Sequence, residues 1–98
     1  MTESPEHRLK RLHMRSWRRG MKEMDLILGR FADDHLANLD AETLAIYEEL
    51  LTENDQDLYL WVTARLGGAG RDDAAPDHLR ALLTRIAGHA SAHLAGDR

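Results

Sequence analysis

The sequence contains no cysteine, which excludes disulfides, thiolate nucleophiles and thiolate metal sites. No apolar run approaches the roughly 18–20 residues that a membrane-spanning helix needs. Neither strand-like alternation nor an internal repeat is present. Of the two prolines, both fall where a helix should begin rather than inside one. The motifs of common chemistries are missing too: no G-x-S-x-G elbow, no G-x-x-x-x-G-K-[ST] loop and no G-x-G-x-x-G after a strand. The Gly-Gly-Ala-Gly run at 67–70 lacks both a strand and a lysine, so it reads as part of a flexible linker over 67–75. The first residues, MTESPEH, hold no apolar signal core and carry two acids, where a mitochondrial presequence would avoid them. The expected address is a reducing cytoplasm.

What is present is helical periodicity. Ninety-eight residues with 43% hydrophobic content suit one domain, near the common size of about 100–150 residues. Ser4-Pro5-Glu6 resembles a helix start, with Ser4 as N-cap and Pro5 at the first helical position. The first helix is expected over about 5–18, with a thin stripe of Leu9, Leu12 or His13, and Ser16-Trp17, held by packing on a neighbour. The second, over about 21–37, puts Met24, Ile27, Leu28, Phe31 and His35 on one face, and Gly29 within it suggests close approach of another helix. Asp40 reads as the next N-cap, with Leu39 and Leu44 at hydrophobic-staple spacing. A third helix is expected over about 41–52, with Leu44, Tyr47, Leu50 and Leu51 inward. Asn54 or Asp55 caps a fourth, with Leu58, Trp61, Val62 and Leu66 on one face. Pro76-Asp77 restarts the chain, and Leu79, Leu82, Leu83, Ile86 and Ala90 line a C-terminal helix over 76–95. The fold expected is all-α: a small five-helix bundle in a single domain spanning 1–98.

The net charge of −4 conceals a division. Residues 1–22 hold seven basic residues against two acids, while residues 31–64 hold nine acids and no lysine or arginine. Such bipolarity suits steering toward a complementary protein surface, or simply solvated helix faces. Phosphate binding by Arg8, Lys10, Arg11, Arg15, Arg18, Arg19 and Lys22 is disfavoured by the acidic balance and by the lack of a basic recognition helix. No nucleic-acid partner is expected. His89 and His93 have the i, i+4 spacing of two metal ligands. In sequence they lack a third and fourth ligand and sit near a terminus that should fray, so no metal site is expected.

The stretch Ser16–Asp25, SWRRGMKEMD, joins the basic segment to the first clearly amphipathic helix. Glycine inside a helix costs roughly 1 kcal/mol against alanine. Gly20 is therefore easier to explain where two elements meet, or where a partner must approach the backbone. Arg19 and Glu23 lie four apart. They could form an exposed ion pair of a few tenths of a kcal/mol. Equally, Arg19, Gly20 and Glu23 could form a contact surface: a fork donor, a bare backbone and a carboxylate.

The run Arg18-Arg19-Gly20-Met21-Lys22-Glu23-Met24-Asp25 resembles the RGxxE signature, commonly RRGMxELD, of the SdhE family, bacterial relatives of succinate dehydrogenase assembly factor 2. Leu50-Leu51 followed by Asp55-Gln56-Asp57-Leu58-Tyr59-Leu60-Trp61 is similar to that family's LLxxxDxDLxxW segment. The resemblance covers about residues 5–66. Lys22 and Met24 are mild departures, Gln56 stands where proline is frequent, and nothing from Gly67 onward matches.

The resemblance implies an assembly factor, not an enzyme. Family members bind the flavoprotein subunit of succinate dehydrogenase, and often of fumarate reductase, and promote covalent attachment of FAD to a histidine of that client. FAD would belong to the client and not be bound stably by this chain. Separately from the resemblance, a monomer that does not insert into a membrane is expected. The partner-binding residues carried over are Arg18, Arg19, Gly20, Glu23 and Asp25. Asp55, Asp57 and Trp61 carry over as a secondary motif, with Trp61 read as core and the two acids as cap and first-turn residues favoured by the helix dipole. The other reading is a regulatory or antitoxin-like module that turns the same charged surface to a different partner. The role of the C-terminal helix stays open.

Overall fold

A computed structural model describes residues 3–66 and 74–96, and within 94–96 the backbone alone. The chain runs through α1 (Pro5–Trp17), α2 (Lys22–His35), a 3-10 turn (Leu36–Asn38), α3 (Ala41–Leu50), α4 (Asp55–Leu66) and α5 (Asp77–Gly96). The described residues contain no strand. None of their helices is long and apolar enough to cross a membrane.

Local chemistry sets the boundaries. Ser4 Oγ accepts the His7 backbone N–H at 3.1 Å, with Pro5 next in the chain. Asp40 Oδ1 accepts the Thr43 N–H at 2.7 Å, satisfying an amide that the first helical turn leaves without a partner. Leu39 and Leu44 both pack against the core, completing the staple. Of the two residues expected to cap α4, Asn54 does so: its Oδ1 accepts the Asp57 N–H at 2.8 Å, and its Nδ2 donates to Asp57 Oδ2 at 2.8 Å. The second helix ends earlier than its periodicity suggests. The chain tightens into the 3-10 turn after His35, and the Leu39 N–H closes that turn on the Leu36 carbonyl at 3.3 Å.

Packing makes α2 central, in contact with α1, α4 and α5, while α4 and α3 also pack on α5. Leu12 from α1, Met24, Leu28 and Phe31 from α2, Tyr47 and Leu50 from α3 and Leu58 and Val62 from α4 are all buried. The C-terminal helix, whose role the sequence left open, supplies Leu79, Leu82, Leu83, Ile86 and Ala87 to the same core. At about 1.5–3 kcal/mol for each large apolar side chain fully buried, α5 is integral to the fold. Of the linker expected over 67–75, residues 67–73 lie outside the described residues. Ala75 at its end is 2% exposed and belongs to the core.

Gly29 does mark a close approach, and the neighbour is Trp17. A Cβ at position 29 would lie within 2.6 Å of the indole Cε3. The indole Nε1 donates to Asp33 Oδ1 at 3.1 Å, which fixes the ring over the glycine. In the core, Ser16 Oγ donates to the Leu12 carbonyl at 2.8 Å and shares a 2.6 Å hydrogen bond with Tyr47 Oη. Burial pushes the Tyr47 phenol up to about 12, against a smaller opposing effect of its Ser16 hydrogen bond.

Candidate functional site

The α1–α2 junction is a turn that only glycine adopts cheaply. Beyond Trp17 the chain leaves helical geometry, and Gly20 takes φ +97°, a region that disfavours side chains with a Cβ. Met21 is extended and offers no side-chain cap to α2. Instead Asp25, one turn into α2, accepts the Arg19 backbone N–H at 2.5 Å. Gly20 is exposed, and nothing lies within 4 Å of where its Cβ would be. A partner's backbone or side chain can reach it.

Arg19 points the other way. Its Nε donates to Asp55 Oδ1 at 2.7 Å, Nη1 to the Leu51 carbonyl at 2.7 Å and Nη2 to the Glu53 carbonyl at 2.8 Å. The side chains of Arg19 and Asp55 are only 10% and 18% exposed. The expectation of an open fork donor is therefore corrected, and so is the exposed pair with Glu23. The guanidinium closes on backbone carbonyls of the α3–α4 turn, a planar multi-donor role that lysine cannot reproduce. Asp55 is in the first turn of α4, as expected, but its carboxylate faces Arg19 and does not cap the helix. Asp57 stays with Asn54 at the helix start. Trp61, expected in the core beside Leu58 and Val62, is only half-buried and packs on the core's margin.

Of the remaining motif residues, Arg18 and Glu23 are exposed. Glu23 stands at one end of a groove of about 270 Å³ between α2, α4 and α5, floored by Leu26, Ile27, Tyr59 and Leu66 and reaching His89. Leu26, at 36% exposure, puts apolar area on the surface at the groove. Sequence reasoning missed this groove. The only signal was Leu26, an apolar residue off the helix's inward face. The acid-tipped groove and the bare glycine turn lie on neighbouring stretches of α2 and its N-terminal approach.

Much of the charge division seen in the sequence is resolved internally. Arg8 and Arg11 both pair with Glu48, at 2.9 and 2.8 Å, and His13 pairs with Asp33. Arg11, and then Arg8, hold the Glu48 carboxyl below the usual carboxylate range. Folding the basic α1 onto acidic α3 leaves Arg18 and Lys22 as exposed cations at the turn, with Lys10 exposed farther back on α1.

Fold and site together define a small all-helical protein that presents a glycine turn and an acid-tipped apolar groove. A nucleophile set against a base, the arrangement nucleophilic catalysis would need, is absent among these site residues. The family profile described as the flavinator of succinate dehydrogenase matches residues 10–90. The chain belongs to this family. It is 47% identical over 60 residues to "Succinate dehydrogenase assembly factor 2-A, mitochondrial" of Drosophila yakuba, covering 59% of this chain and 37% of that protein. It is 44% identical over 61 residues to "Succinate dehydrogenase assembly factor 2, mitochondrial" of Meyerozyma guilliermondii, covering 62% of this chain and 45% of that protein. For the Aspergillus terreus protein of the same name the figures are 47% over 53 residues, 54% and 18%. The chain thus spans less than half the length of these relatives. No solved structure matches it.

Proposed function

We propose that this chain is an assembly factor that binds the flavoprotein subunit of succinate dehydrogenase and promotes covalent attachment of FAD to it. The observation that carries the reading is the placement of Gly20 and Glu23: an exposed left-handed glycine one turn from an exposed acid at the end of an apolar groove, in a chain of the flavinator family. Arg18, Gly20 and Glu23 make the contact. Arg19, Asp25 and Asp55 shape the turn that presents them.

The chemistry of flavinylation resides in FAD and the client's histidine. A binding factor accelerates it by stabilising the client arrangement in which the two meet, a shift of population that requires only differential affinity. FAD therefore stays the client's cofactor and this chain is not an enzyme. The fumarate reductase flavoprotein is a second candidate client. The cytoplasm is the location that goes with this reading.

The test compares cells with and without the gene on a denaturing gel under ultraviolet light. Covalent flavin fluorescence at the flavoprotein should disappear without the gene. It should return with the wild-type chain and stay absent with Glu23→Ala, a change at an exposed side chain that leaves the melting temperature unaltered. A Gly20→Arg chain that proves folded by circular dichroism should also fail. Normal fluorescence in the deletion strain would overturn the assembly role. Full rescue by both variants would overturn the surface.

A further inference from the structure

The fold supplies what the sequence spacing of His89 and His93 lacked, a third ligand. We propose that Asp34, His89 and His93 form a binding site for one divalent transition-metal ion, zinc being the ion the donor set favours. Both imidazoles project from one face of α5 toward α2. His89 Nε2 lies 2.7 Å and His93 Nε2 3.4 Å from the same atom, Asp34 Oδ2. The three ligand atoms all lie within 4.8 Å of one another. In a tetrahedral site with bonds of about 2.0–2.1 Å, donors stand about 3.3–3.5 Å apart. The His93–Asp34 separation already has that value, the His89–Asp34 separation needs to open by less than 1 Å, and the two imidazole ligand atoms, within 4.8 Å of each other, need to close by no more than about 1.5 Å.

The site is organised from behind. The His89 side chain is 10% exposed, with its ring edge-on to Phe31 at 5.7 Å and 90° and to His35 at 5.1 Å and 80°. Its orientation is thus set by packing between two helices of the core. Asp34 and His93 are 52% and 39% exposed, which leaves an approach for the ion. His89 and His93 also line the groove that ends at Glu23, so a fourth position would open toward water or a donor from a bound partner. Three protein ligands with one open position is a common zinc arrangement, and two imidazoles with one carboxylate disfavour calcium and magnesium, which prefer oxygen sets. Without an ion the same groups act only as hydrogen-bonded pairs between α2 and α5. At this exposure such pairs contribute little, and two imidazoles aimed at one oxygen add little to one.

The experiment uses the untagged full chain, stripped with chelator and dialysed. Cobalt(II) is titrated by visible absorption, and zinc by competition and by thermal melting. The expected result is one equivalent per chain, a four-coordinate cobalt spectrum displaced by zinc, and a melting temperature that climbs with zinc concentration. Loss of an outer-sphere partner alone typically weakens metal binding about 10–100-fold, so removing a ligand should cost at least about 100-fold. His93→Ala and Asp34→Asn, both at exposed side chains, should show that loss while keeping the far-ultraviolet circular dichroism of the wild type. His78→Ala, at a histidine paired elsewhere with Glu49, should bind normally. Absence of saturable binding, full affinity in either ligand variant, or equal loss in His78→Ala would each overturn the site.

Discussion

Replacing Arg19 by alanine removes the clasp between the α1–α2 turn and the α3–α4 turn. The guanidinium makes three hydrogen bonds of 2.7–2.8 Å, one to a carboxylate and two to backbone carbonyls. Breaking a fully buried pair costs about 3–5 kcal/mol, chiefly because a charge is left uncompensated. Asp55 is 18% exposed, so water recovers part of this, and a loss of about 2–4 kcal/mol is expected. For a domain of this size each kcal/mol moves the melting temperature by about 4–8 °C, so Arg19→Ala should melt at least roughly 8 °C lower. Arg19→Lys should recover only part, since an ammonium serves fewer acceptors at fixed angles.

Urea unfolding of Arg19→Ala, Asp55→Ala and the double variant forms a cycle, with a coupling of about 1–3 kcal/mol expected. Glu23→Ala, assayed beside them, should leave the urea midpoint unchanged and lower flavinylation. The outcome that refutes the reasoning is an Arg19→Ala chain of wild-type stability that no longer supports flavinylation. In that case the guanidinium reaches the client and the clasp does not hold the fold.

Gly29→Ala should destabilise by about 1–3 kcal/mol despite its better helix propensity, because the new methyl displaces the Trp17 indole; tryptophan emission and urea midpoints check this together. Because Arg11 and Arg8 depress the folded pKa of Glu48, its stabilisation is present above the unfolded value near 4.5 and is lost as pH falls through the folded one. Glu48→Gln should flatten that acid limb of the stability curve measured by urea midpoints. Tyr47 behaves oppositely: its folded pKa is about 12 against 10.0 unfolded, so stability should fall as pH rises above about 10, and Tyr47→Phe should abolish that decline while losing the Ser16 hydrogen bond.

The junction motif shows how legibility divides. Gly20 was readable as a meeting point of two elements because the left-handed turn is a property of a few bonds, and glycine's scarcity of strain there is local. The direction of Arg19 was not. Its partner Asp55 lies 36 residues away, and nothing within a helical turn of Arg19 marks it. Trp61 shared a face with Leu58 and Val62 in periodicity, but one face of a helix contains both its buried centre and its margin. Only the placement of α5 decides which residue is which. His89 was taken for a residue near a fraying end, yet it sits between Phe31 and Asp34 because α5 docks along α2.

The sequence by itself determined the helices, the caps at Ser4 and Asp40, the glycine turn and the family to which the chain belongs. The helices, caps and turn depend on residues within a few positions, where capping and propensity act through covalently fixed geometry, and the family on two linear motifs. The tertiary structure alone decided that Glu48 neutralises α1, that Arg19 turns inward, that a groove opens beside Glu23, and that Asp34 meets His89 and His93 across 55 and 59 residues of chain. Those outcomes follow from how apolar faces pack, and packing brings together side chains whose separation in sequence carries no trace of their contact.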